Sequence, residues 1–590
     1  MATKKTGTKK RSPVRKVNPT DSVVTQTAEV FPVVETISIS PPVTVEQVVE
    51  TPAPAQPVPD NPIYRYPGRL LGLVLLLGWS FDFLFWKQDV GVNFPIFITL
   101  CLLGGLVWLL SHGTRPARSS LLLLLPLLFF AAVAFLRQEP LTTFLAFVFT
   151  LIAAGLFASS YAGGRWPLYG LTDYFYKSLL LLGDALTGLA VYAPKAQKIQ
   201  RSLESHKKTF PIWALLRGLL IAFPIVACFG ALLAAGDVVF EQKLDNFLDL
   251  DDLSENILRG ALILVYAYIL AGTFIHAALK SRDANLIGES RPLLRPFLGF
   301  TESAVILGSV SVLFLAFVIV QFQYFFGGQT NIGVEGYTYS QYARRGFNEL
   351  ITVAFFSLVL ILGLSALVRR ETDLQKRLYS WLSVAVVGLV LVILTSAYQR
   401  ISLAIDWHGF SRLRLYPRIF LIWLALLFVT VVILEILRRE RYFALAAVVA
   451  SVGFAVSLTL VNVDAATVKH NVPRSLQGKN LNVAHLASLS SDAVPALAAQ
   501  FYSEAYPQWV HEGLGAALTC YLHFDSLSDD TDTDWRSFNF SRSKAHTTLQ
   551  WAEQYLQDYG INDDQWWNVK VRTPSNVWYE CKYSSAAEED

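Results

Sequence analysis

Residues 69–86 read RLLGLVLLLGWSFDFLFW, an apolar run interrupted only near its end by Asp82. An α-helix rises about 1.5 Å per residue, so a run of this length matches the hydrocarbon core of a bilayer. Backbone polar groups in lipid must be bonded within the segment, which a helix achieves; barrel strands would be shorter and would alternate in polarity. Working outward, runs of the same kind recur at 91–110, 119–136, 140–161, 214–235, 258–279, 297–325, 349–368, 378–398, 416–437 and 442–462. Composition agrees, with 53% hydrophobic and 16% charged residues and a mean hydropathy of +0.41. The predicted fold is an all-α polytopic membrane helix bundle of about eleven transmembrane helices, with a small C-terminal α+β soluble domain.

Lys and Arg in the short loops give the expected orientation, because cytoplasmic loops carry the basic excess. Lys4, Lys5, Lys9, Lys10, Arg11, Arg15 and Lys16 place the amino-terminal tail in the cytoplasm. The gaps holding Lys195, Lys198, Lys207 and Lys208, then Lys280 and Arg282, then Arg369 and Arg370, then Arg438 and Arg439 fall on that same side. The gap 236–257 is acidic and falls outside. Two places strain this pattern. Segment 168–193 (LYGLTDYFYKSLLLLGDALTGLAVYA) is apolar enough for a span, but a span there would invert every later loop. It reads instead as an amphipathic helix on the cytoplasmic surface. The gap 399–415 would put Arg400, Arg412 and Arg414 outside, against the bias.

Three regions follow: a disordered tail at 1–67, basic and then Pro/Thr-rich; the transmembrane bundle at 68–462; and a soluble domain at 463–590. An odd span count puts that last domain on the extracytoplasmic side. It has helical spacing over 481–506, 509–524 and 541–559, then an alternating pattern on either side of Thr573-Pro574-Ser575-Asn576 that predicts a hairpin. Cys520 and Cys581 both fall in it, and an oxidising compartment would allow them to pair.

Ionisable residues inside spans are costly, which makes Asp82 and Glu302 candidates for a proton or cation pathway. The competing reading makes Asp82 an interfacial residue beside Phe85 and Trp86. These two acids fall at opposite faces and cannot form a dyad. Arg259 sits near a span end, where reaching for headgroups is the simple reading, and His276 reads as a packing histidine. Gly68 and Gly72 make one small-xxx-small pair. The outer loops supply Tyr339, Arg344 and Arg345, then Asp406, Arg412 and Arg414. Arginine forks there would suit an anionic group, headgroups, or docking of the terminal domain. No zinc-site spacing, phosphate loop, nucleophile elbow or kinase signature occurs, so neither a catalytic residue nor a metal or cofactor is assigned. A charge of +3 is accounted for by topology and gives no case for nucleic-acid binding, so no nucleic-acid partner is expected.

Several stretches together resemble a bacterial family of multi-span membrane proteins named as domain of unknown function number four-one-seven-three. They are Asp82 to Trp86, Thr301-Glu302, Phe317 to Gly328, Tyr337 to Phe347, Gly409 to Leu415, Ser491 to Ala493 and Asp534 to Asn539. The resemblance implies a bacterial integral membrane protein and carries over no biochemical role.

The expected function is therefore a non-enzymatic protein of the bacterial cytoplasmic membrane that binds a partner or senses an envelope ligand. Its expected partners are the lipid bilayer and a protein or anionic envelope ligand met by the terminal domain and outer loops. The alternative is a transporter or lipid flippase working through Asp82, Glu302, Arg344 and Arg345. A third class, a transferase acting on lipid-linked substrates, would use Asp406 as base and Arg412 to hold phosphate.

Overall fold

A computed structural model describes residues 62–64, 66–203, 250–282, 286–287, 296–326, 347–527, 534–563 and 569–581, with isolated positions at 229, 233, 236 and 237. Among the described residues, eleven helices are long and apolar enough to cross a membrane. They are α1 (Pro67–Phe85), α2 (Asn93–Ser111), α3 (Arg118–Leu136, broken near Leu122), α4 (Pro140–Ser160), α5 (Leu171–Leu203), α6 (Leu250–Leu279), α7 (Phe300–Phe326), α8 (Phe347–Leu367), α9 (Asp373–His408), α10 (Arg412–Ile436) and α11 (Phe443–Val461). The protein is thus mostly helical, with a small antiparallel sheet near its C-terminus.

The number of spans matches the sequence reading, but the set differs. The expected span 214–235 falls outside the described residues except for isolated helical positions. Segment 168–193, expected on the surface, forms most of α5 and meets the length and composition of a span. Its contacts locate it more closely. Let the end of the bundle where α1 begins be proximal and the other end distal. Asp173 accepts the Ile287 amide at 2.7 Å, Leu181 touches Gly155, Asp184 meets His276 and Lys280, and Tyr192 donates to the Ile63 carbonyl at 2.7 Å. Between these, Leu186 accepts the Tyr268 hydroxyl at 2.8 Å and Gly188 meets Gly272, so the contacts reach toward the middle of α6 before returning to the proximal end. Segment 168–193 thus packs against α6 as a candidate span, with its first and last contacts, Ile287 and Ile63, at the proximal end.

Four cores hold the bundle. Leu70, Val74 and Leu77 of α1 pack with Trp108 of α2 and with Ala271, Phe274 and Ile275 of α6. Leu307, Ala354, Ile361, Val386, Val390, Ile393 and Phe428 build a second core from α7 to α10. Helix α11 takes part in the two smaller ones: Ala455 packs with Phe130, Val133 and Ala146, and Leu458 packs with Leu415 and Ile419. In lipid, association of helices relies on close packing more than on apolar burial, and small residues permit it. Gly188 and Gly272 supply the closest approach: a side chain at Gly272 would run into the Asp184 and Ala185 backbone. The Gly68 and Gly72 pair meets nothing within 4 Å and has no such role in these contacts.

Asn462 ends α11 in the left-handed region (φ 49°) and caps α12 (Val463–Arg474) through the Ala465 amide at 3.2 Å. This one residue turns the chain from the bundle into the terminal domain without a linker. The domain continues as α13 (Val483–Ala487), α14 (Val494–Phe501), α15 (Gln508–Leu527), α16 (Phe540–Glu553) and strands β1 (Gly560–Asn562), β2 (Lys570–Arg572) and β3 (Trp578–Glu580). The strands pair antiparallel in the order β1-β2-β3, with Val571 opposite both Ile561 and Tyr579. The helical spacing expected over 541–559 holds only to Glu553, where α16 ends, and Gly560 starts β1. Leu497, Val510, Leu514, Leu518, Leu549 and Val571 fill the domain's core. Cys520 on α15 is bonded to Cys581 just after β3, with a Cα separation of 5.6 Å.

Candidate functional site

The polar side chains converge at the distal end, where three short connections meet the terminal domain. The first contact comes from the α9–α10 turn. Arg412 lays its guanidinium along the fully buried Asp464 of α12, with Nε and Nη2 donating at 2.8 and 2.7 Å. The Ser490 amide and hydroxyl donate to the same carboxylate at 2.8 and 2.6 Å. Bidentate pairing with further donors is the arrangement that lets an ion pair remain ionised when dry. Beside it, Asn471 bridges both backbone groups of Phe410, accepting from its amide at 2.7 Å and donating to its carbonyl at 2.8 Å. The His470 ring stacks on Phe410 at 3.8 Å. Burial and the nearby Arg474 push its basicity below the ordinary histidine value.

A second contact is built on the start of α4. Asp492 accepts the amides of Gln138 and Glu139, each at 2.9 Å, and takes the Ser541 hydroxyl at 2.8 Å. Its carboxylate therefore sits at a helix N-terminus, where the backbone dipole favours negative charge. Arg137 lies 3.5 Å from the same carboxylate and donates to the Thr459 carbonyl at 2.9 Å. Glu139 caps α4 through the Leu141 and Thr142 amides and accepts the Tyr416 hydroxyl of α10. In the third contact, the α1–α2 connection receives residues 534–542. The Val92 amide donates to the Phe538 carbonyl at 2.8 Å, Ser537 reaches Gln88 at 2.7 Å, and Arg542 pairs with Asp89 at 3.1 Å. Gly91 makes this possible, since a side chain there would meet the Ser537 and Phe538 carbonyls.

These contacts explain the arginines that broke the charge pattern. Arg412 is neutralised by Asp464, Arg400 donates to Gln321 of α7 at 2.9 Å, and Arg414 donates to the Gly409 carbonyl at 3.2 Å. The expected loop 399–415 is itself mostly helix, because α9 runs on to His408. Asp406 is exposed and is reached through its carbonyl, by Arg474 at 2.5 Å.

The acids of the spans have partners too. Asp82, 4% exposed, accepts Arg259 Nη2 at 2.7 Å and Nε at 3.1 and 3.2 Å, clamping α1 to α6. Arg259 thus turns inward to a counter-charge rather than simply outward to headgroups, and its guanidinium also lies over Trp86. Trp86 and Lys87 both donate to Glu255 at 2.8 Å. Glu302 is exposed in the first turn of α7 and accepts the Gly299 amide at 2.8 Å, the work of a capping residue. The two acids do lie at opposite ends. At the proximal end His276, 1% exposed, holds Asp184 through Nδ1 at 2.7 Å, and Lys280 holds the other carboxylate oxygen at 2.7 Å. Tyr339, Arg344 and Arg345 lie outside the described residues.

A family model described as a domain of unknown function, DUF4153, matches residues 124–500. The chain belongs to the DUF4153 family. No curated protein matches it, and no solved structure does. The match replaces the resemblance to family four-one-seven-three. Runs of Leu, Val and Phe recur in any membrane bundle, and short polar signatures between them discriminate poorly between families. The DUF4153 region extends from α3 into α14 and holds both docking carboxylates, Asp464 and Asp492, with Arg137, Glu139 and Arg412. The α1–α2 contact with residues 534–542 lies outside it. Sequence reasoning singled out Arg412 as a candidate, touched Asp492 only within the stretch Ser491 to Ala493, and passed over Asp464. Their signal was present: two lone acids in a stretch just after the last apolar run, opposite an unexplained basic loop.

Proposed function

We propose that this multi-pass membrane protein resides in the bacterial cytoplasmic membrane with its start in the cytoplasm, and that its terminal domain forms a fixed extracytoplasmic cap that binds a protein or senses an envelope ligand without catalysis. The observation that carries this reading is the junction itself. Asp464 and Asp492 are buried in ion pairs and backbone hydrogen bonds, so the cap is a rigid extension of the bundle and not a tethered module. A rigid cap transmits a binding event to the helices beneath it, which is what a sensor requires. Sidedness is supported by the loop charges and by the Cys520–Cys581 bond, which persists in oxidising compartments. The basic residues Arg369, Arg370, Arg438 and Arg439 gather at the proximal end, opposite the cap.

The test is labelling by an impermeant maleimide in intact cells, with single cysteines at Gln550 on the cap and at Lys376 on the proximal end. Labelling at Gln550 and protection at Lys376 support the reading; the reverse pattern places the cap in the cytoplasm and ends the envelope-sensing proposal. The transporter reading draws less support, because Asp82 is already satisfied by Arg259.

A further inference from the structure

Residues 534–540 read DWRSFNF and form the short turn that joins the cap to the α1–α2 connection. Their backbone is pinned. Asp534 accepts the Arg536 amide at 3.1 Å and its Nε at 2.6 Å, and that guanidinium holds the carboxyl below the usual carboxylate range. Arg536 Nη1 donates to the Phe83 carbonyl at 2.5 Å, in the last turn of α1, and the Phe538 carbonyl accepts the Val92 amide at the start of α2. Asn539 caps α16 through the Ser541 amide at 3.0 Å and donates to the Arg137 carbonyl just past α3. The segment therefore runs along the level where α1, α2 and α3 leave the apolar layer.

Three large apolar side chains on this pinned segment are left about half exposed. Trp535 is 56% exposed, Phe538 42% and Phe540 49%. A soluble domain gains by burying such rings, and this one has a packed core only a few residues away. Their exposure continues a surface already on α1: Trp79 and Phe83 are exposed, stack at 5.6 Å, and carry the Arg536 guanidinium 5.2 Å above the Phe83 ring. That surface leads from exposed rings of a candidate span, through the Arg536 guanidinium over Phe83, to the neighbouring Trp535. Tryptophan and other amphipathic rings are enriched at this depth, and arginine spans it with its stem in the apolar layer and its head in the polar one.

We propose that Trp535, Phe538 and Phe540 form a membrane anchor of the cap, inserted in the headgroup layer of a phospholipid bilayer beside α1. The occupant is the lipid surface, and the anchor fixes the cap against the membrane independently of the Asp464 and Asp492 contacts. It holds for either sidedness of the cap.

The experiment uses the unaltered chain in nanodiscs of phosphatidylethanolamine and phosphatidylglycerol, doped with a phospholipid carrying a diazirine at the top of its acyl chain. After irradiation, mass spectrometry of peptides should find adducts on 535–540 at a frequency within about threefold of those on Trp79 and Phe83. Adducts on α1 with none on 535–540 would overturn the proposal. A second readout places a spin label at Trp535→Cys in a chain lacking Cys101 and Cys228, with the native disulfide kept. Oxygen accessibility should exceed that of a nickel chelate there, as on a label at Trp79→Cys. Collision with the chelate at the rate of a label in open water would exclude insertion, and retained protease resistance of the cap guarantees that the labelled chain is folded.

Discussion

Asp464→Ala is the perturbation that tests the rigid junction most directly. The substitution deletes the carboxylate that holds Arg412 at 2.7 and 2.8 Å, and leaves the Ser490 amide and hydroxyl without their acceptor. Arg412 is only 18% exposed and Asp464 not at all, so water cannot readily replace the lost charge. Breaking one side of a buried pair typically costs about 3–5 kcal/mol. Because a single residue, Asn462, separates α11 from α12, the loss should appear as opening of the cap from the bundle. When reclosing is fast, proteolysis follows the open population, so 3–5 kcal/mol predicts cleavage of the cap faster by a factor of about 10² to 5 × 10³. Removing both charges should do far less harm. Asp464→Leu with Arg412→Met exchanges the pair for apolar contact, and replacement of buried pairs in this way is often neutral. Cleavage of the double variant within about tenfold of the parent is expected. A single variant that cleaves at the parent rate, or a double variant as fast as the single, would refute the reasoning that this pair is dry and closed.

Other outcomes follow from the same geometry. Replacing Cys520 and Cys581 by Ala opens a loop of 61 residues and should cost about 4 kcal/mol by the loop-entropy relation, read as a lower melting temperature of the cap that reductant reproduces in the parent; insensitivity of both would show that the bond does not stabilise the fold. His470 has its basicity lowered in the folded state by burial and Arg474, so stability is full above its unfolded pKa near 6.5 and falls as pH drops through that value. Cap cleavage should therefore accelerate between pH 7 and 5, and His470→Gln should flatten the profile. Gly272→Leu should cost about 1–3 kcal/mol or more by forcing α5 off α6, seen as lost crosslinking between cysteines at 188 and 268, whereas Gly72→Ala should leave thermal stability unchanged. Asp82→Asn weakens the α1–α6 clamp and should lower the melting temperature of the bundle, with Arg259→Gln lowering it similarly, since each leaves the other partner uncompensated.

The sequence alone determined the architecture that depends on local chain properties. Apolar length specified membrane helices at ten of the eleven expected positions; the remaining one, 214–235, falls outside the described residues. Turn residues and alternation specified the β2–β3 hairpin, and cysteine placement brought Cys520 and Cys581 forward as partners. Tertiary structure decided everything that depends on which ends meet. Arg400, Arg412 and Arg414 looked like exceptions to the charge bias because their partners, Gln321, Asp464 and the Gly409 carbonyl, mostly come from other segments. Asp82 looked like a free acid because Arg259, 177 residues away, supplies its counter-charge. Helix α5 has the composition of a span, and only packing shows that its first and last contacts, Ile287 and Ile63, lie at the same end of the bundle while Gly188 meets Gly272 farther in. Hydropathy is a sum over neighbours in the chain and can be read from a string. Charge pairing and depth are relations between distant residues, and they exist only once the helices are assembled.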